Sequence, residues 1–380
     1  MLSIVPFPVF CLRGSGGCPA PEPAEQARSA QPPASNFKTN NCKLSQLTTI
    51  PSMPASDSPP KPIVILGPTA GGKSALAVAL AQQLDGQIIG ADSMQIYRHM
   101  DAGTAKPTHE ERKAVPHHLI DIAEPTEPYS VNDWLSDAQQ TIDQLISQKK
   151  QPIIVGGTNL YLKALLEGLF EGPSSDSALR DELASLAGPE LHERLVKVDP
   201  ASAERIHMND TKRLTRALEV YQLTGKPISE WQQQWQNNPA DQNYTERFHL
   251  VGLQWPTPAI NERINLRVKA MFHPQKVEPE LAKAVCLNGE SLPDETSRLQ
   301  AAGLLGEQAR QALGYKQVLE AIAGQMTMDD AFEKTKIQTR RFAKNQRTWL
   351  KRFVGVHWLD CKNSPITDLA KQAISHIRGG

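Results

Sequence analysis

The chain has 380 residues with 41 basic and 41 acidic side chains, so any grip on nucleic acid must come from a local patch and not from net charge. Its five cysteines, at 11, 18, 42, 286 and 361, form no C-x-x-C pair and no Cys/His cluster with zinc spacing. That usage argues against a disulfide framework and a structural zinc and fits a reducing cytoplasm, and no apolar run reaches the length of a bilayer span.

Residues 1–60 hold 11 of the 29 prolines and few periodic apolar positions. Such a segment cannot bury enough apolar surface to offset chain entropy, so it reads as a disordered N-terminal extension. Pro6, Pro8 and the missing basic n-region speak against a secretory signal. An organelle transit peptide and a translation start at Met53 stay open.

From residue 61 the pattern changes. Ile63–Leu66 is an apolar strand, Gly67-Pro68-Thr69-Ala70-Gly71-Gly72-Lys73-Ser74 matches G-x-x-x-x-G-K-[ST], and Ala75–Leu84 is helical. Strand, glycine-rich turn and helix together are the setting in which this motif cradles a di- or triphosphate. Lys73 adds a full positive charge and Ser74 a hydroxyl placed for magnesium. Further strands are expected at Gln87–Gly90, His118–Ile122, Ile153–Val155 and Phe248–Leu253. A helix at Asn132–Ser147 follows the capping box Ser130-x-x-Asp133. The alternation predicts an α/β fold: a P-loop parallel sheet with helices on both faces. Ser177 to Gln236 shows helices only, an all-helical insertion. The expected organisation is a catalytic core in two parts, 61–176 and 246–380, around an insertion at 177–245. The second part is mainly helical and ends in a short strand, Val356–Leu359.

The strand Ile153–Val155 ends in Gly156-Gly157-Thr158, without the carboxylate that a nucleotide triphosphatase places there. Ile88-Ile89-Gly90-Ala91-Asp92 does end in one. Asp92 reads either as a magnesium or capping group or as a general base over an amine or hydroxyl. Thr158 reads either as a turn residue or as a hydroxyl donating to a leaving group. His117 and His118 read as structural. Lys336 to Arg352 carries seven basic residues and no acid, with Arg340, Lys344, Arg347 and Lys351 on one helical face. That face is solvated, contacts nucleic acid, or reaches a bound diphosphate.

Taken together, Gly67–Ser74, Ala91–Tyr97, Met100–Pro107, Pro116–His118, Val155–Tyr161, Arg205–His207, Asn209–Val220, Gln311–Lys316 and Arg340–Trp349 closely resemble the tRNA dimethylallyltransferase family (isopentenylpyrophosphate-type transferases). The resemblance runs from about residue 61 to 360. It implies an enzyme whose P-loop, residues Gly67 to Ser74, binds dimethylallyl diphosphate with help from Arg263. The same likeness implies that magnesium sits at Ser74. The dimethylallyl group goes to N6 of the adenosine 3′ of the anticodon in tRNA, and diphosphate leaves. Asp92 would accept the N6 proton, Thr158 would assist the leaving group, and Lys73 would neutralise it. A channel would bring the flipped adenine and the donor together from opposite ends. The tRNA would be contacted by Asp92, Ser93, Met94, Gln95, Thr158, Arg180, Lys212, Arg213, Leu214, Thr215, Arg216, Gln311, Ala312, Leu313, Gly314, Tyr315 and Lys316. A cytoplasmic monomer without membrane contact is expected. One departure stands out: the family loop usually has Ser where this chain has Gly71, which should alter donor affinity and spare the chemistry. An ATP-dependent small-molecule kinase on the same P-loop is the alternative reading; it leaves the basic C-terminal helix unexplained.

Overall fold

The computed structural model of the chain describes residues 59–169, 172–173, 176–236, 243–362 and 364–379. The expectation for residues 1–60 thus falls almost wholly outside the described residues.

Six strands make one sheet: β1 (Ile63–Leu66), β2 (Gly86–Gly90), β3 (His117–His118), β4 (Gln151–Val155), β5 (His249–Gln254) and β6 (His357–Asp360). Their order is β3-β2-β4-β1-β5-β6, and every pairing is parallel. β1 sits centrally, with Ile63 in register with Ile153 on one side and His249 on the other. All four of its side chains are buried, as a strand covered on both faces requires.

The two-residue alternation of strands sorts the apolar side chains into two layers. Val64, Leu66, Ile89, Ile154 and Leu250 face the helices Val131–Ser147 and Asn159–Glu167. Ile63, Ile65, Ile88, Ile153 and Val251 face the P-loop helix Lys73–Leu84 and the C-terminal helix Ile366–Gly379. The predicted capping box at Ser130 and Asp133 is present. A third core joins the helices Thr257–Phe272, Leu292–Ala301, Tyr315–Ile322 and Met328–Leu350 to Ile96, Tyr97 and Met100.

Five helices between Ser177 and Gln236 have a core of their own, built from Leu183, Leu191, Leu195, Leu214, Leu218 and Val220. Buried Asp199 stitches them together, accepting from the backbone N–H of Ser202 and of Ser229, each at 3.0 Å. Among the described residues, no helix is long and apolar enough to cross a membrane.

The expected strand His118–Ile122 is a correction. Pairing stops after His118 because Leu119 and Asp121 adopt left-handed φ values of 59° and 56°, which break the pleat. Beyond this point the chain follows residues 95–97, with the Ile122 N–H donating to the Ile96 carbonyl at 2.8 Å. His117 donates from Nδ1 to the Val115 carbonyl and His118 from Nε2 to Gln87 Oε1.

Candidate functional site

The P-loop turns through left-handed backbone at Ala70 (φ 60°) and Gly72 (φ 89°) before the helix begins at Lys73. It is braced by residues far along the sequence. Trp255 Nε1 donates to the Gly71 carbonyl at 2.9 Å, and Arg263 Nε donates to the Ala70 carbonyl at 2.8 Å while stacking over the Trp255 ring. Arg267 donates to the Thr69 hydroxyl, and the Thr69 N–H donates to Gln346 Oε1 at 2.8 Å. The turn is tight: a Cβ built on Gly71 would lie 2.8 Å from the Pro68 carbonyl oxygen.

Lys73 is buried and donates to the carbonyls of Gly67 (3.1 Å) and Pro68 (2.9 Å). These are neutral acceptors. Burial lowers its ammonium to about 8, with Asp92 nearby opposing the shift and Arg267 adding to it. Burial likewise brings Arg267 down to about 10, again opposed by Asp92. The Nε of Arg267 is buried without a hydrogen-bond partner among the described residues. Two cations and one carboxylate thus feel one another around the loop, leaving an excess of positive charge there.

Asp92 follows the end of β2, beside the end of β4. The Ala91 N–H donates to the Val155 carbonyl (2.8 Å), and the Thr158 N–H returns to the Ala91 carbonyl (3.1 Å). This approach explains Gly156, whose Cβ would fall 1.9 Å from the Ala91 carbonyl oxygen. Asp92 is held by the Met94 N–H on Oδ1 at 3.0 Å. Thr158 Oγ1 accepts from the Ser93 N–H at 2.9 Å and donates to Ser93 Oγ at 3.2 Å. Its hydroxyl therefore links the two strand ends and does not cap its own helix. Gln95 points elsewhere, donating to the carbonyls of Thr104 and Ala105.

The remaining sequence-assigned residues divide by burial. Lys212, Arg213, Gln311 and Lys316 are exposed; Thr215 and Leu313 are half-buried. Leu214 belongs to the core of the helical insertion, and Ala312, Gly314 and Tyr315 are buried. Tyr315 donates its hydroxyl to buried Glu295 and packs where a Gly103 Cβ would sit, 2.2 Å from its Cε2. Arg180 forms a two-pronged pair with fully buried Glu219, at 2.8 and 3.1 Å, and Arg216 joins the same carboxylate while donating to the Pro173 carbonyl. In the stretch Met100–Pro107, Lys106 is buried and pairs with Asp101 and Asp121 while donating to the Tyr97 carbonyl.

The basic face of the Met328–Leu350 helix is not uniform. Arg340 donates to Asn265 Oδ1 (2.8 Å) and Arg347 to Thr257 Oγ1 (2.9 Å), so both lean toward the helix that braces the P-loop. Arg347 also keeps a buried Nε without a partner among the described residues. Lys344 and Arg341 stay exposed. Sequence reasoning missed Arg267 and the bridging role of Gln346. The first stands one helical turn after Arg263; the second is an uncharged amide within the basic run, on the same face as Ala343 and Leu350.

The family model described as IPP transferase matches residues 95–353. A tRNA dimethylallyltransferase of Syntrophobacter fumaroxidans is 42% identical over 307 residues, covering 80% of this chain and 84% of that protein. One from Carboxydothermus hydrogenoformans is 40% identical over 321 residues, covering 83% and 96%. The crystal structure of a tRNA isopentenylpyrophosphate transferase from Bacillus halodurans superposes with a TM-score of 0.58 at 34% identity, covering 84% of this chain and 97% of that one. A eukaryotic dimethylallyltransferase described as acting on tRNA gives a TM-score of 0.63 at 28% identity, covering 80% and 74%. With its parallel P-loop sheet, its Asp92–Thr158 edge and relatives matched over most of their length, the chain belongs to the IPP transferase family.

Proposed function

We propose that the protein transfers a dimethylallyl group from dimethylallyl diphosphate to N6 of the adenosine 3′-adjacent to the anticodon in tRNA. The observation that carries this reading is Asp92. It is a carboxylate at the end of β2, close enough to influence Lys73 and Arg267, while β4 ends in Gly-Gly-Thr with no metal-binding acid. In the proposed reaction the N6 lone pair attacks the allylic carbon and the C–O bond to diphosphate breaks with its electron pair on oxygen. The N6 proton passes to Asp92. Lys73, Arg263 and Arg267 balance the charge that grows on the departing diphosphate, and Thr158 donates its hydroxyl to it by releasing Ser93. Ser93 and Met94 lie beside the acceptor base in this reading.

Ser74 is exposed at the first turn of the P-loop helix, and no group of three or more His, Cys, Asp or Glu among the described residues could hold a metal ion alone. The Ser74 hydroxyl would suit magnesium, a hard cation that would draw off diphosphate charge when bound. Exposed Lys212, Arg213, Gln311 and Lys316 are proposed to touch tRNA, and the enzyme to work as a cytoplasmic monomer.

Incubation with labelled dimethylallyl diphosphate and unmodified tRNA whose anticodon is followed by adenosines tests the reading. Magnesium-dependent, ATP-independent transfer of label to tRNA is expected. ATP hydrolysis with a small-molecule acceptor, and no label on tRNA, would instead favour the kinase.

A further inference from the structure

Gln346 is buried in the last turns of the helix Met328–Leu350, whose neighbouring inward positions, Thr339, Ala343 and Leu350, are small or apolar. A buried primary amide must find an acceptor and a donor or lose their hydration uncompensated. Its two partners come from opposite sides of the site. Oε1 accepts from the Thr69 N–H of the P-loop at 2.8 Å, and Nε2 donates to the Gly157 carbonyl at 2.7 Å. Gly157 immediately precedes Thr158. A Cβ built there would lie 3.1 Å from Gln346 Nε2 and 3.2 Å from Asp92 Oδ2, so the amide, the glycine turn and the carboxylate converge within the width of one side chain.

We propose that Gln346 is a positioning residue: it sets the distance between the loop that grips the donor and the Asp92–Thr158 edge that receives the acceptor. This inference rests on the functional reading given above. The amide touches neither reacting atom. Its two bonds are opposite in sense, so no other side chain of similar size makes both. Glutamate keeps an acceptor for Thr69 but sets a carboxylate oxygen against the Gly157 carbonyl and adds negative charge near Asp92. Methionine fills the volume and makes neither bond. Either change lets the two edges move independently, and a displacement of about 1 Å in a reacting geometry costs as much as ~10²-fold in rate.

The experiment compares the full-length wild type with Gln346→Met and Gln346→Glu. It measures thermal midpoint, dimethylallyl diphosphate affinity by calorimetry, and single-turnover label transfer at saturating donor and tRNA. The expected result for Gln346→Met is a transfer rate lower by ~10- to 100-fold, with donor affinity within ~3-fold of wild type. Gln346→Glu should lose rate similarly and bind the anionic donor more weakly than Gln346→Met. Wild-type transfer by Gln346→Met would overturn the inference, as would a loss that vanishes once the assay is run well below its melting midpoint. If the wild-type chain labels no tRNA, the functional reading falls first and the positioning role falls with it. If the wild type labels tRNA and Gln346→Met matches it, the positioning role alone is wrong.

Discussion

The arginines around the P-loop and those of the helical insertion are used in opposite ways. In the insertion, Arg180 and Arg216 converge on Glu219, a carboxylate with 0% exposure, and Pro173 takes a further N–H. Their charge is answered inside the fold. Around the P-loop, Lys73, Arg263 and Arg267 donate to neutral carbonyls and a hydroxyl, and the Nε of Arg267 is buried without a partner among the described residues. Ion pairs that satisfy each other stabilise a helical module, while cations held on neutral acceptors keep their charge for an anion that arrives later.

The sharpest way to break this contrast is to remove the proposed base. Asp92→Ala should lower label transfer by roughly 10²- to 10⁴-fold while tRNA binding by filter retention stays near wild type. Normal transfer in that variant would take Asp92 out of the proton-accepting role. Lys73→Ala should weaken donor binding in calorimetry by ~10- to 100-fold, the range of a charge-assisted hydrogen bond. In the insertion the corresponding change should act on stability alone. Glu219→Gln is expected to cost roughly 1.5–3 kcal/mol in urea denaturation, because Arg180 and Arg216 are part-exposed and recover hydration. Its donor affinity should not change; a large loss would show that the two regions are not separable.

A smaller effect follows from pH. The Lys73 ammonium, lowered to about 8 by burial, is the form proposed to meet the diphosphate. Below that value the free protein already carries the charge, so affinity is flat with respect to this group. Above it a proton must be taken up on binding, and affinity falls by at most about tenfold per pH unit. An affinity unchanged between pH 8 and 10 would mean that Lys73 does not meet the donor as a cation. The smallest effect concerns salt. Replacing exposed Arg341 and Lys344 by Gln should reduce the salt slope of tRNA affinity by ~0.7–0.9 for each phosphate that is no longer neutralised. Replacing Arg340 and Arg347, which lean toward the P-loop side, should leave that slope alone.

What the sequence revealed was what is local. Gly67 to Ser74, Asp92 and Thr158 each lie within a few residues of a strand end, where turn chemistry and strand pattern are read together. The parallel sheet was legible because its inner strands β1, β2 and β4 are short and buried on both faces. Arg267 and Gln346 were not, because each acts on Thr69 from a remote helix and nothing in a linear pattern pairs them with it. The strand after His118 was overextended because Leu119 and Asp121 are not glycines, and their left-handed backbone leaves no mark in composition. Matching whole stretches also mixed surface with interior. Gln311 and Lys316 face solvent while Ala312 and Tyr315 between them are buried, a division set by helix face and turn geometry.

Gly71 holds the loop in a shape that a side chain would disturb. Its N–H closes onto Pro68, its carbonyl is fastened by Trp255, and any Cβ would press on the Pro68 oxygen. A serine at position 71 would therefore not fit without a shift of the Pro68 carbonyl. The turn would first have to open, and Trp255 and Arg263 would have to yield with it. A side chain at position 71 is thus coupled to the contacts through which residues 255 and 263 hold the loop.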